Sequence, residues 1–516
     1  MLPEFKNEPY TDFSQADNQQ EMKAALEAVS GQLGGEYDLI IGGRKVKAAE
    51  KFNSINPSRK DQVVGVFQKA SAKEAEQALQ AALETFPDWS RVDPAERADY
   101  LFKAAAAMRR RRMELNAWMI LEEGKNWLEA DADVAEAIDF LDFYGREMIR
   151  LAGEQPLTPV PGETNELVYI PLGVGVVIPP WNFPLAILTG MTSAALVAGN
   201  TVVLKPSSDS PAMGQLFMEI MEEVGLPPGV VNFVTGSGAA IGDTLVGHPQ
   251  TRFISFTGSK AVGLGIVELA ARTAPGQIWI KRVVAEMGGK DAIIVDSETD
   301  LDRAAEGVKA SAFGFQGQKC SACSRAIVLE DVYDRFLELL VEKTGTITVG
   351  EVIDQKNYMG PVINQRAMDS IMEYIEIGKK EGRLLTGGGP AGKGGFYIEP
   401  TIIADVDPQA RIAQEEIFGP VLTVIKARDF DHALQIANNT EYGLTGAVYS
   451  DDRDKLDKAK KIFHCGNLYL NRKCTGALVG GHPFGGFNMS GTDSKAGGRD
   501  YLLLYTQAKS ISEYVG

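Results

Sequence analysis

From residue 167 onward the chain repeats one pattern, a short apolar β-branched run followed by a helix-like stretch. VYIPLGVGVVIPPWNFP (168–184) is apolar and then broken by prolines. A helical stretch over 185–198 follows, then TVVLKP (201–206), a helix over 213–224 and VVNFVTG (230–236). A short helix from 239, RFISFTG (252–258) and a helix from 259 complete the series. A second series opens at DAIIVD (291–296) and runs through a helix over 301–313 to RAIVLE (325–330). Apolar runs separated by helices build βαβ units around a mostly parallel sheet. Two series predict two open parallel-sheet α/β domains that meet near 286–289, and 516 residues are chain enough for both. Ahead of them, residues 71–150 read as helices. Ser71 and Glu74 form a capping box, and Asp93 precedes a first-turn proline, Pro94. Residues 507–514 read as a terminal strand.

The formal net charge is −17. A surface so acidic repels phosphate backbones and argues against a nucleic-acid partner. The one basic run, MRRRR (108–112), lies in a helical pattern and reads as a solvated helix face. No apolar run is long enough to span a membrane, and MLPEFKNEPYTDFS lacks the basic and apolar parts of a signal peptide. Four cysteines in a chain of this length make no disulfide framework, so a reducing cytoplasm is the simplest location.

Ligands of open parallel sheets bind beyond the carboxyl ends of strands. Three such ends carry polar signals: Lys205 in VVLKPSS, Gly236 and Gly238 in FVTGSG, and Gly258 with Ser259 in FISFTGSK. An ammonium can hold a cofactor hydroxyl or phosphate, glycines admit a close approach, and a helix start at Ser259 offers free N–H groups to a pyrophosphate. Each signal alone is an ordinary turn; together they point to a dinucleotide. The usual G-x-G-x-x-G fingerprint is missing from its context.

FGFQGQKCSACSR (313–325) places Cys320 and Cys323 three residues apart. A metal half-site, a redox dithiol, or one nucleophile beside a bystander would each use such a pair. Cys465 and Cys474 do not form a second close pair, which disfavours zinc. The Gln/Gly-rich approach is foreign to a thioredoxin-like dithiol. A single reactive cysteine is the leading reading, with no metal.

PWNFP, LKPS, FTGS, AEMGGK, FGFQGQKC and EEIFGP occur in this order, and the chain resembles the NAD(P)-dependent aldehyde dehydrogenase superfamily over nearly its whole length. NEPYTDF, DVAEAIDF, GQKCSACSR and NRKCTGALVGGHPFGGFNMSGTDSKAGG narrow the resemblance to the branch that oxidises L-glutamate γ-semialdehyde. The resemblance implies an aldehyde dehydrogenase-like α/β fold with a small β element for oligomerisation. It implies a nucleotide domain over 1–285 carrying a hairpin at 150–168, a thiol domain over 286–490, and a C-terminal return and strand over 491–516.

It also assigns roles. Cys320 is the nucleophile that forms a thiohemiacetal and then a thioester; a neighbouring positive charge is expected to lower its pKa. The Asn182 amide and the Cys320 N–H are oxyanion donors, and Glu286 is the base that activates water. Ile178, Pro179, Pro180 and Trp181 line the cofactor's approach, Lys205 and Glu416 hold its riboses, Phe418 lies near the nicotinamide ribose, Ser259 touches the pyrophosphate, and Gly238 and Gly258 also bind the cofactor. Ser208 stands where many NAD-specific relatives carry a glutamate that repels a 2′-phosphate. NAD is the expected cofactor, with NADP admitted. For the substrate, Gly476 and Ala477 offer N–H groups to the α-carboxylate with the Ser321 hydroxyl, Glu136 faces the α-ammonium, and Phe183 and Phe484 enclose the aliphatic chain. The implied activity is the second step of proline degradation. Implied partners are further copies of the chain, assembled from dimers, and proline dehydrogenase. A dehydrogenase for another semialdehyde is the alternative, and it would not need Glu136 or the 475–477 loop. A CoA-acylating relative would lack the base at Glu286.

Overall fold

The computed structural model describes residues 3–392 and 394–516. Among them the two strand series form two separate seven-stranded sheets. The first is ordered Arg282–Glu286, Phe253–Thr257, Val174–Ile178, Thr201–Leu204, Val231–Phe233, Leu39–Ile41, Arg44–Val46. Its first five strands run parallel, and the last two close the edge antiparallel. The second is ordered Arg383–Thr386, Thr401–Ala404, Val421–Ala427, Cys323–Leu329, Asp291–Val295, Thr445–Tyr449, Asn467–Leu470. Only its first strand is antiparallel. The central strands are buried throughout, as in Thr201–Leu204 and Asp291–Val295, because helices cover both faces.

The helix starts follow their local chemistry. Ser71 accepts from the Lys73 N–H while Glu74 accepts from the Ser71 N–H, opening Ala72–Trp89, and Asp93 caps Pro94–Arg110. MRRRR is not simply a solvated face. Arg109 pairs with Glu8 and Asp142, Arg111 with Glu114 and Glu219, and Arg112 with Glu8 and buried Asp131. These ion pairs bind the N-terminal segment to the helical layer. Asn7, Glu8 and Thr11 add hydrogen bonds to Asp139 and Asp131.

The hairpin expected over 150–168 is absent. The helix Trp127–Ala152 ends there, and residues 153–162 form no strand. The β element is instead a two-stranded antiparallel ribbon in which Glu163–Pro171 pairs with Thr506–Tyr514. Its partner comes from the far end of the sequence, which a local pattern cannot show. Residues 35–69 add a three-stranded sheet, Gly35–Tyr37, Val63–Lys69 and Glu50–Ile55, for which the sequence reading made no assignment. Among the described residues no helix is long and apolar enough to cross a membrane.

Candidate active site

The loop that carries Cys320 follows the helix Leu301–Phe313 and enters the strand Cys323–Leu329 at its amino end. It turns through the left-handed region at Phe315, Gln316 and Gly317, with φ of 49°, 58° and 68°. Two side-chain-bearing residues there carry strain that surrounding contacts must hold. The Gln316 amide donates to the Gly124 and Pro361 carbonyls at 3.0 and 2.8 Å, and Gln318 Oε1 accepts from the Ile363 N–H at 2.9 Å. A Cβ at Gly317 would lie 2.2 Å from the Gly419 carbonyl oxygen, so only glycine fits.

Cys320 is partly exposed, whereas Cys323 lies in the core beneath it. Burial is the main influence that raises the Cys320 pKa, followed by the charges of Asp291, Glu416 and Glu286; the Ser321 N–H opposes them. The expected lowering by local positive charge is therefore not found. The nearest lysine in sequence, Lys319, is engaged with Glu129 at 2.6 Å. The resting group is the thiol.

Asn182 is buried, and its Nδ2 donates to the Gln318 carbonyl at 3.0 Å, which sets the amide against the Cys320 loop with its second N–H left over. The following helix, Ala186–Val197, is anchored by Asp133, whose carboxylate accepts from the Ala186 N–H at 2.6 Å. The other Asp133 oxygen accepts from Lys125 at 2.7 Å, with both side chains fully buried. Lys125 Nζ stands 4.2 Å from the Phe183 ring centre and 4.6 Å from that of Phe315. One buried pair thus ties the Asn182 segment to the Cys320 loop. Sequence reading missed it, since residues 125, 133, 183 and 315 share no local signal.

Glu286 ends the edge strand Arg282–Glu286 of the first sheet. Its carboxylate accepts from the Ser494 hydroxyl at 2.7 Å, the Ser494 N–H at 3.3 Å and the Gly486 N–H at 3.1 Å. Burial, only partly offset by these donors and by Lys495, pushes its pKa up to about 7.

Lys205 and Ser208 converge on one acceptor. The Lys205 ammonium donates to the Gly236 and Pro206 carbonyls at 3.1 and 3.0 Å, and the Ser208 hydroxyl donates to the Gly236 carbonyl at 3.1 Å. Burial pushes Lys205 down to about 8. Ser259 caps the helix Lys260–Ala271, and nothing lies within 4 Å of a Cβ at Gly238. The Gly258 N–H is donated to the Glu286 carbonyl, and a Cβ there would stand 2.6 Å from the Phe256 ring, so the turn requires glycine. Glu416 accepts from the Gly289 N–H at 3.1 Å through one oxygen, and burial pushes its pKa up to about 7. Phe418 has a φ of 55° and meets Trp181 edge-on, with ring centres 5.5 Å apart. Ile178, Pro179 and Pro180 lead from the strand Val174–Ile178 to Trp181. A buried ammonium with one proton unused and a carboxylate with one oxygen unused suit the hydroxyls of a dinucleotide's riboses.

In the loop expected to bind substrate, the Thr475, Gly476 and Ala477 N–H groups donate to no protein acceptor among the described residues. Arg472 turns this loop by donating to the Thr475 and Gly476 carbonyls at 3.0 Å each, with Gly476 at a φ of 78°. Ser321 is buried beside it, its carbonyl accepting from Cys474 Sγ at 3.3 Å. Burial, followed by the charge of Lys319, lowers the pKa of Lys473, a cation that sequence reading passed over. Glu136, on the helix Trp127–Ala152, is partly buried; burial and then Asp133 push its pKa up to about 8, against the pull of Lys125 and Lys319. Phe484 pairs its backbone with Ala496, on the same loop that holds Glu286.

The sequence matches the family described as "Aldehyde dehydrogenase family" over residues 45–511. It is 61% identical over 513 residues to the 1-pyrroline-5-carboxylate dehydrogenase of Geobacillus thermodenitrificans, covering 99% of this chain and 100% of that one. The structure superposes on that of 1-pyrroline-5-carboxylate dehydrogenase from Thermus with bound NAD, with a TM-score of 0.98, 50% identity and 99% of each chain covered. It also superposes on proline utilization A from Bdellovibrio bacteriovorus, with a TM-score of 0.98 and 46% identity, covering 99% of this chain and 53% of that longer one.

Proposed function

The chain belongs to the aldehyde dehydrogenase family, and from that premise we propose how its residues divide the work. It oxidises L-glutamate γ-semialdehyde, the open form of 1-pyrroline-5-carboxylate, to L-glutamate in the second step of proline degradation. The observation that carries this reading is the full-length identity of 61% to a 1-pyrroline-5-carboxylate dehydrogenase. The site adds unused N–H donors at 475–477 and an acid at Glu136, a pair suited to an α-carboxylate and an α-ammonium.

The partly exposed Cys320 thiol gives its proton to solvent water, and the sulfur attacks the aldehyde carbon. The oxygen gathers negative charge, which the Asn182 amide and the Cys320 N–H stabilise by about 3 kcal/mol each. NAD, when bound, supplies the acceptor for the hydride that leaves the same carbon. Lys205 and Glu416 would hold its riboses, the helix start at Ser259 would take its pyrophosphate, and Trp181 and Phe418 would line its nicotinamide end. Ser208 brings no negative charge to the adenosine ribose, so NADP is also accepted, below NAD. The resulting thioester is hydrolysed by a water that gives its proton to Glu286.

The nucleotide domain spans 1–285, the thiol domain 286–490 and the return strand 491–516. The chain assembles into homo-oligomers built from dimers. Supporting this, Ile278 and Ile280 are 86% and 89% exposed, and the ribbon end bears Tyr514 at 80%. Proline dehydrogenase is the proposed enzyme partner, a reading supported by the likeness to part of a longer proline utilization chain. Four free cysteines suit a reducing cytoplasm.

Cofactor reduction measured over a panel of aldehydes tests the assignment. Glutamate semialdehyde should be preferred over propanal and succinate semialdehyde, and glutamate should compete with the aldehyde. Equal kcat/KM for propanal without glutamate inhibition would contradict the substrate and leave the aldehyde chemistry standing. Cys320→Ala should abolish reduction, and Glu286→Gln should leave a burst followed by slow turnover.

A further inference from the structure

The carboxylate of Glu286 rests in a cradle built by one loop. Ser494 supplies two of its three donors, the hydroxyl at 2.7 Å and the N–H at 3.3 Å, and Gly486 supplies the third at 3.1 Å. The cradle walls are bare backbone. A Cβ at Gly485 would stand 3.2 Å from Glu286 Oε1, and one at Gly491 3.0 Å from its carboxyl carbon. The backbone is bridged as well, Glu286 pairing with Gly491. Of the three donors, only the hydroxyl is a side chain. Ser494 is itself buried, so water does not readily replace it.

We propose that Ser494 is the positioning residue for the general base: its hydroxyl holds the Glu286 carboxylate in place and keeps it ionised near neutral pH, so that it sets the lower pH limit of thioester hydrolysis. The inference rests on the assignment of Glu286 as base. In that step the water oxygen bonds to the acyl carbon, its proton passes to Glu286 and the C–S bond breaks. A carboxylic acid, the Cys320 thiolate and a protonated Glu286 remain. Protonated Glu286 cannot take the proton, so the cradle decides where activity begins.

The groups that face Glu286 are few. Lys495, on the cradle loop, favours its charge. Across the site, the Cys320 thiol and the Tyr501 and Tyr505 hydroxyls feel that charge as unfavourable to their own ionisation. All three stay neutral around pH 7 in the resting enzyme, so they do not move the midpoint. The Ser494 hydroxyl bond is the largest influence that opposes burial at Glu286.

The test follows the acyl-enzyme directly. Full-length enzyme is mixed with glutamate semialdehyde and NAD, quenched, and the thioester mass is followed in time from about pH 5.5 to 9. Wild type should show a hydrolysis rate rising with a midpoint near 7. Ser494→Ala should move that midpoint up by about one pH unit, as expected for loss of one hydrogen bond to a charged acceptor. Ser494→Thr should restore it, and Ser494→Cys, a weaker donor of similar size, should fall between. Should the alanine variant not fold, the cysteine variant carries the test. A midpoint unchanged in the alanine or cysteine variant, while Glu286→Gln abolishes the pH-dependent rate, overturns the role of Ser494 alone. A thioester that decays in Glu286→Gln as in wild type overturns the base assignment and this inference with it.

Discussion

Glu136 offers a prediction with its magnitude already in the structure. Without ligand its carboxyl is pushed up to about 8, chiefly by burial and then by Asp133. At pH 6 about one molecule in a hundred carries it ionised, and at pH 8 about half. An α-ammonium binds the ionised form, so the ligand must first displace the proton. The sign follows: affinity rises with pH up to about 8 and then levels. L-Glutamate, the product, keeps its ammonium through this range and avoids the ring closure that complicates the semialdehyde. Its Kd should fall roughly fiftyfold between pH 6 and pH 8. Titration calorimetry at pH 7 in buffers of different ionisation enthalpy should show about 0.9 proton released per glutamate bound. Glu136→Gln removes a charge-assisted bond of about 1.5–3 kcal/mol, so glutamate should bind about ten- to hundredfold more weakly at pH 8. The same variant should lose both the pH dependence and the proton release. A flat wild-type Kd across this range, with no proton released, would refute the pairing of Glu136 with the ammonium.

Three further outcomes are expected. Wild-type enzyme should turn over NADP measurably but below NAD, and Ser208→Glu should depress NADP use more than NAD use, read as kcat/KM for each cofactor. Ser321→Ala should raise KM for the semialdehyde about ten- to hundredfold with kcat little changed, because it removes one carboxylate donor and leaves the thiol in place. Gly317→Ala forces a Cβ to 2.2 Å from the Gly419 carbonyl at a φ of 68°. It should cost about 2–4 kcal/mol and lower the calorimetric Tm; an unchanged Tm with full activity would show that the loop relaxes freely.

Much of the architecture was legible because its causes are local. A strand buried on both faces must be apolar, so Val174–Ile178 and Asp291–Val295 announce themselves, as do the helices between strands. Caps at Ser71 and Asp93 are likewise read from adjacent residues. The sequence by itself therefore determined two parallel sheets and, through long motif matches, the family and its aldehyde chemistry. It could not determine what meets across the chain. The ribbon pairs residues 163–171 with 506–514, and Asp133 holds the segment that follows Asn182. Ser494 cradles a carboxylate 208 positions away. The charge around Cys320 was also beyond reach, because Lys319 beside it in sequence is turned to Glu129, while Asp291, Glu416 and Glu286 bear on the thiol from other elements. The physical reason is the same in each case. Propensity and periodicity act within a few residues, whereas a pKa, a cradle or an ion pair depends on distances that exist only after the elements have packed.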